Sequence, residues 1–110
     1  MTEIDAKKSW TDFLKFYFNA NKKRPTRIGL YQITGGTAND YWLEDGLPLL
    51  GLDVEFDDGH PIVQIMLDGY THVVRDVRSL RPVYSSDGSD DGIDLVREGG
   101  STTLLRFENG

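Results

Sequence analysis

Two Asp-Gly dipeptides, Asp58-Gly59 and Asp68-Gly69, punctuate the most apolar stretch of the chain, LPLLGLDVEFDDGHPIVQIMLDGYTHVVRD at residues 47–76. Asp-Gly between alternating apolar runs is a strong hairpin signal, because both central positions of a type I′ turn need positive φ. Turn length also sets register. A two-residue turn at Asp58-Gly59 pairs Phe56 with Pro61, Val54 with Val63, Leu52 with Ile65 and Leu50 with Leu67. A second at Asp68-Gly69 pairs Leu67 with Tyr70, Ile65 with His72 and Val63 with Val74. One face of the predicted meander then carries Leu50, Leu52, Val54, Phe56, Val63, Ile65, Leu67, Tyr70, His72 and Val74. The reverse face carries Gly51, Asp53, Glu55, Ile62, Gln64, Met66, Thr71 and Val73, a semi-polar set that suits an antiparallel sheet with one wetter side. A slip of one residue at either turn would mix the two sets.

Ahead of the meander, residues 9–21 read as a helix. Ser9 is the expected N-cap, with Asp12 in the place of a capping-box acid. Trp10, Phe13, Leu14 and Tyr17 recur at helical spacing and share a face, and Phe18 widens it. Phe16 points away from that face. Asn19 to Asn21 and Pro25 end the helix, with Lys22, Lys23 and Arg24 placed to favour its negative C-terminal dipole.

Arg27–Ile33 is a first strand, with Ile28, Leu30 and Gln32 on one face and Gly29, Tyr31 and Ile33 on the other. Thr34-Gly35-Gly36-Thr37 is a turn. Tyr41 to Leu43 begin a second strand, interrupted around Asp45-Gly46, with Pro48 at an edge or an irregularity. Arg81–Ser85 is a short strand, and residues 86–92 form a mobile acidic loop by composition. Ile93–Glu98 and Ser101–Phe107 make a last hairpin around Gly99-Gly100. A two-residue turn there pairs Leu95 with Leu104. A bulged three-residue turn sets Ile93, Leu95, Leu105 and Phe107 on one face, and the more coherent face favours it.

Composition limits the chemistry. The 110 residues contain no cysteine, which excludes disulfides, Cys-ligated metal and thiol nucleophiles and suits a reducing cytosol. No apolar run approaches the roughly 18–20 residues of a membrane span, and no secretory signal is visible. Net charge is −6 but unevenly spread. Residues 1–27 hold 7 Lys and Arg against 3 Asp and Glu, and the remainder 5 against 15. The acidic portion repels nucleic-acid phosphates.

His72 is the most informative single residue, because the register places an imidazole on the apolar face beside Tyr70, where it must find a partner or shift its pKa. It reads either as a base or ligand contact in a pocket or as a structural His. His60 at the hairpin tip faces Asp57 in a solvated pair. Asp87, Asp90, Asp91 and Asp94 offer clustered carboxylates without EF-hand spacing. Neither a phosphate loop, a zincin motif nor a nucleophile elbow occurs.

The helix with Trp10 and Phe13, Leu47-Pro48-Leu49 with Gly51 and an Asp-Gly hairpin, Thr71-His72-Val73, and the closing Ser101-Thr102-Thr103-Leu104-Leu105-Arg106-Phe107 follow one another along the chain. In this order they resemble an uncharacterised bacterial family of small domains of unknown function. The short turn before Thr71 and the Gly-Gly before the last strand depart from that pattern. The resemblance implies a bacterial, cytoplasmic domain and brings no activity, cofactor or site with it.

The expected fold is α+β, residues 1–110 as one domain. An N-terminal amphipathic helix packs on a strongly bent antiparallel sheet of about five to seven strands, a meander, roll or half-open barrel. The expected function is a non-catalytic protein-interaction or regulatory module presenting Phe16, Lys22, Lys23 and Arg24 to an unknown protein partner. The alternative is a small-molecule-binding or enzymatic pocket using His72 with Tyr70. Neither cofactor nor metal, and neither nucleic-acid nor membrane partner, is expected.

Overall fold

The computed structural model describes the backbone of residues 3–34, 37–99 and 101–108, and the side chains of residues 9–32, 46–99 and 101–108. One helix, α1 (Glu3–Asn21), precedes seven strands: β1 (Pro25–Thr34), β2 (Thr37–Asp57), β3 (His60–Leu67), β4 (Tyr70–Arg75), β5 (Val77–Tyr84), β6 (Asp90–Arg97) and β7 (Thr102–Phe107). The strands form one antiparallel sheet in the order β4-β3-β2-β1-β7-β6-β5. It is not closed into a barrel: β4 and β5 are its two edges.

The meander follows its turn chemistry. Ile65 pairs with Leu52 on one side and with His72 on the other, and Val63 sits between Val54 and Val74. At the first turn both Asp58 and Gly59 have positive φ, 52° and 82°. At the second only Gly69 does, at 81°, so the two turns share a length but not a conformation. The expected pairing fails in one place. Leu67 pairs with Leu49, not Leu50, because a bulge lies between Leu49 and Gly51. The extra residue turns Leu50 outward, 49% exposed, and gives the core position to Leu49, fully buried.

Three other expectations change. The helix begins at Glu3, so Ser9 lies in its interior and is no N-cap. β2 is not interrupted at Asp45-Gly46; it runs 21 residues, pairing with β1 in its first half and β3 in its second. Gly46, at φ 80°, lets it bend there without ending. β5 begins at Val77, not Arg81. The last hairpin takes the three-residue turn: Ile93 pairs with Leu105 and Leu95 with Thr103. Thr34 pairs with Thr37, while Gly35, Gly36 and Gly100, and the side chains of Tyr41, Trp42 and Leu43, lie outside the described residues.

The sheet must curl, because β4 and β5 are opposite edges yet are joined by Asp76 alone. A single link residue keeps Arg75 and Val77 within about 7 Å, so the two edges meet at that corner. Asp76 adopts φ 56°, a left-handed conformation that Asp tolerates better than most residues. Two bonds fasten the corner to the end of β6: Arg97 Nε donates to Arg75 O at 2.8 Å, and Glu98 N to Asp76 O at 3.0 Å. The concave face buries Ile28, Leu49, Val63, Ile65, Ile93, Leu95 and Leu105. Helix α1 covers it with Leu14 and Tyr17, while Trp10 packs on Phe56 and Tyr17 on Phe107. No helix is long and apolar enough to cross a membrane among the described residues.

The helix C-terminus is clamped to the sheet. Asn21 Nδ2 donates to Tyr17 O and to Asp90 Oδ2, at 2.9 and 3.0 Å. Arg24 donates to Asn21 Oδ1 and Asp90 O, and its guanidinium lies 4.3 Å from the Phe107 ring centre. Lys23 takes the left-handed position that stops the helix, φ 69°, and its N–H donates to Leu49 O at 2.7 Å.

Candidate functional site

Two clefts gather the residues singled out by the sequence. The first lies between α1 and β5. Its wider end, about 370 Å³, is lined by Trp10, Phe13, Arg78, Leu80 and Pro82. It continues past Phe13 and Pro82 into a narrower end of about 60 Å³ beside Phe16, Tyr17, Tyr84 and Asp90. Phe16 and Tyr84 stand 75% and 60% exposed over this narrow end. Beneath them the Tyr17 hydroxyl is buried and has no hydrogen-bond partner among the described residues. Burial first, then the nearby Asp90 carboxylate, push the Tyr17 phenol well above its ordinary range, so it stays a hydrogen-bond donor at any physiological pH. Pro82 fits this strand because β5 pairs on one side only.

The second cleft, about 200 Å³, opens between the edge of β4 and the ends of β6 and β7. His72 lines it, and the Tyr70 hydroxyl meets His72 Nδ1 at 3.1 Å, with the two rings stacked at 6.1 Å. The expected neighbours Tyr70 and His72 are thus in contact. With Tyr70 donating to Nδ1, the neutral imidazole carries its proton on Nε2. Burial, and secondly the positive charge of Arg97, lower the His72 pKa from its ordinary value. Leu30, Arg75, Arg97 and Thr103 complete this cleft. None of them was singled out from the sequence, because they come from four strands whose proximity depends on the curl.

The pKa direction carries a pH dependence. A His whose folded pKa lies below its unfolded value of about 6.5 stabilises the fold above that pH, and the contribution is lost as pH falls through it towards the folded pKa. The wild-type protein should therefore lose more stability than His72→Gln when urea unfolding is compared at about pH 7.5 and about pH 5. Equal losses in the two proteins would show that His72 is not burdened by its surroundings.

The remaining candidates are dispersed. Lys22 and Lys23 are exposed just beyond the helix, away from the Phe16 cleft lining, and Arg24 is engaged in the clamp. His60 faces Asp57 in the ladder, as expected, but its ion-pair contact is with Asp76, at 3.5 Å, because the corner brings the link residue to the hairpin tip. The acidic loop is shorter than expected and ordered by its own side chains. Asp87 Oδ1 accepts from the Ser85 and Ser89 hydroxyls and from Ser89 N, which hold its carboxyl well below the usual range. Asp90, Asp91 and Gly92 belong to β6, and Asp94 pairs with Arg106 at 2.7 Å. Among the described residues no group of three or more His, Asp or Glu side chains is placed to hold a metal ion.

No protein family matches the chain, and neither a curated protein nor a solved structure is significantly similar to it. The family resemblance of the sequence therefore rests on its short motifs alone.

Proposed function

We propose that the protein is a non-catalytic protein-interaction module, and that it receives an extended, largely apolar segment of a partner protein in the groove between α1 and β5. One observation carries the reading: Phe16 and Tyr84 are held out over a groove that Tyr17 also lines, its hydroxyl buried and without a hydrogen-bond partner among the described residues. Rigid aromatic side chains of this kind supply much of the contact energy where proteins meet. Covering them removes apolar surface from water at about 25 cal/mol per Å². The Tyr17 hydroxyl would meet a backbone carbonyl of the incoming segment. Charge orients that segment: Arg78 lines one end of the groove and Asp90 the other, favouring an acidic group near Arg78 and a donor near Asp90. Pro82 removes a backbone donor from the β5 edge, so the segment docks mainly through side chains. On this reading the protein acts in the bacterial cytoplasm, as its cysteine-free sequence and its motif resemblance suggest.

Short random peptides displayed on phage test the proposal. Selected peptides should share aromatic or branched apolar residues and shift the amide NMR signals of Leu80 and Tyr84. They should bind the Phe16→Ser/Tyr84→Ser variant about tenfold or more weakly, a loss of about 1.4 kcal/mol. Both side chains are exposed, so circular dichroism should show the fold intact. Failure to select peptides, or equal binding to the variant, overturns the reading. So does a dimer of this chain that the same substitutions dissociate, since the groove would then belong to a second copy.

A further inference from the structure

We propose that the cleft between the open edge of β4 and the ends of β6 and β7 is a binding site for a small organic carboxylate. Four independent features of the cleft converge on an anion.

The first is the backbone. Leu67 and Tyr70 flank the two-residue turn and exchange ladder bonds, and in an antiparallel pair the bonded residues alternate. The amides of Thr71, Val73 and Arg75 therefore point away from β3, towards the open edge. The bond from Arg97 Nε to Arg75 O has this same phase. The Val73 N–H is thus a donor facing the cleft.

The second is Thr103. Its side chain is 1% exposed, it lines the cleft, and its hydroxyl has no hydrogen-bond partner among the described residues. A hydroxyl taken out of water without a partner is unfavourable, so a ligand oxygen that wedges in to reach it gains a bond the free protein lacks. The third is charge. Arg75 and Arg97 line the cleft, and among the described residues no carboxylate does, in a chain of net charge −6. The fourth is preorganisation. Arg97 is tethered through Nε to Arg75 O and through Nη1 to Ser101 Oγ at 3.3 Å, which fixes its plane and leaves Nη2 available. His72 is held at Nδ1 by Tyr70, which leaves Nε2 available.

Size and lining select the class of anion. At about 200 Å³ the cleft has room for a handful of waters of about 30 Å³ each, enough for a small acid and too little for a nucleotide. Leu30 supplies an apolar wall for a hydrocarbon tail, which an inorganic anion lacks. A bound carboxylate would favour the imidazolium form of His72, so binding and protonation are linked.

The test is NMR titration of the intact protein with sodium butyrate, succinate, inorganic phosphate and chloride at fixed ionic strength. Butyrate or succinate should give saturable shifts of the His72 ring proton and the Val73 amide and raise the His72 titration midpoint. Thr103→Val should weaken that binding about tenfold or more without loss of stability, because it replaces an unpartnered hydroxyl with a methyl of the same shape. Arg97→Gln should weaken it further. Absence of saturable shifts, or equal shifts with phosphate or chloride, would overturn the proposal by reducing the cleft to an adventitious anion contact only. An unchanged affinity in Thr103→Val would do so as well. Phe16 and Tyr84 take no part here, so this site and the α1–β5 groove stand or fall separately.

Discussion

Leu49→Ala is expected to destabilise the protein by about 3 kcal/mol, within the usual range for a fully buried leucine, while Leu50→Ala changes stability by less than about 0.5 kcal/mol. The two leucines are adjacent and chemically identical, so intrinsic propensity cannot separate them. Only the bulge does. Leu49 pairs with Leu67 and is sealed in the core, and its carbonyl also accepts from Lys23 N at the helix stop. Leu50 is the extra residue and stands half in water. Urea unfolding with a common slope for both variants checks the prediction. With a net stability of about 5–15 kcal/mol for a domain of this size, the Leu49 variant loses a large share of it. Comparable losses at both positions would mean that the regular register, with Leu50 inward, is populated in solution.

Gly92→Ala should be at least as damaging, with a loss of about 3 kcal/mol or more. A Cβ at this position would lie 2.0 Å from the Leu105 carbonyl oxygen and 2.9 Å from Arg106 Cδ. The carbonyl belongs to β7 backbone that pairs with β1 and β6 on its two sides, so it cannot retreat without opening the sheet centre. Gly51→Ala is the control. There the close atom is Met66 Cε, at 2.6 Å, the end of a flexible side chain that can swing away. Its cost should stay below about 1 kcal/mol. At roughly 4–6 °C per kcal/mol, thermal melts should separate the two alanine variants by ten degrees or so. A Gly92→Ala protein that melts with the wild type would place the β6–β7 approach wrongly.

Much of the architecture was legible before any coordinates. The Asp-Gly turns put Ile65 opposite both Leu52 and His72, and the period-two pattern chose which side chains share the concave face. The helical stripe of Trp10, Phe13, Leu14 and Tyr17 was legible for the same reason. These signals are local: a turn's dihedral preferences and the alternation of side chains along a strand involve neighbours within a few residues. The misreadings arose where local preference and distant packing disagree. Ser9 has good N-cap chemistry, yet the helix continues through it back to Glu3. Asp45-Gly46 has good turn chemistry, yet β2 bends there and carries on, held by β1 and then β3.

The candidate sites were legible only in part. His72 with Tyr70, and Phe16 as an exposed aromatic, could be read from register and helical phase, since each is a statement about one element. Their companions could not. Tyr84 and Pro82 join Phe16 because an edge strand from the far end of the sheet comes to lie beside the helix. Arg97, Thr103 and Leu30 join His72 because a one-residue link at Asp76 forces the two sheet edges to a common corner. The sequence alone decided the two Asp-Gly hairpins, their register from Leu52 to Val74 and the face on which His72 lies, because turn dihedrals and strand alternation are short-range. The tertiary structure decided the bulge at Leu50, the curl of the sheet and the membership of both clefts, because these follow from chain closure and packing between residues tens of positions apart.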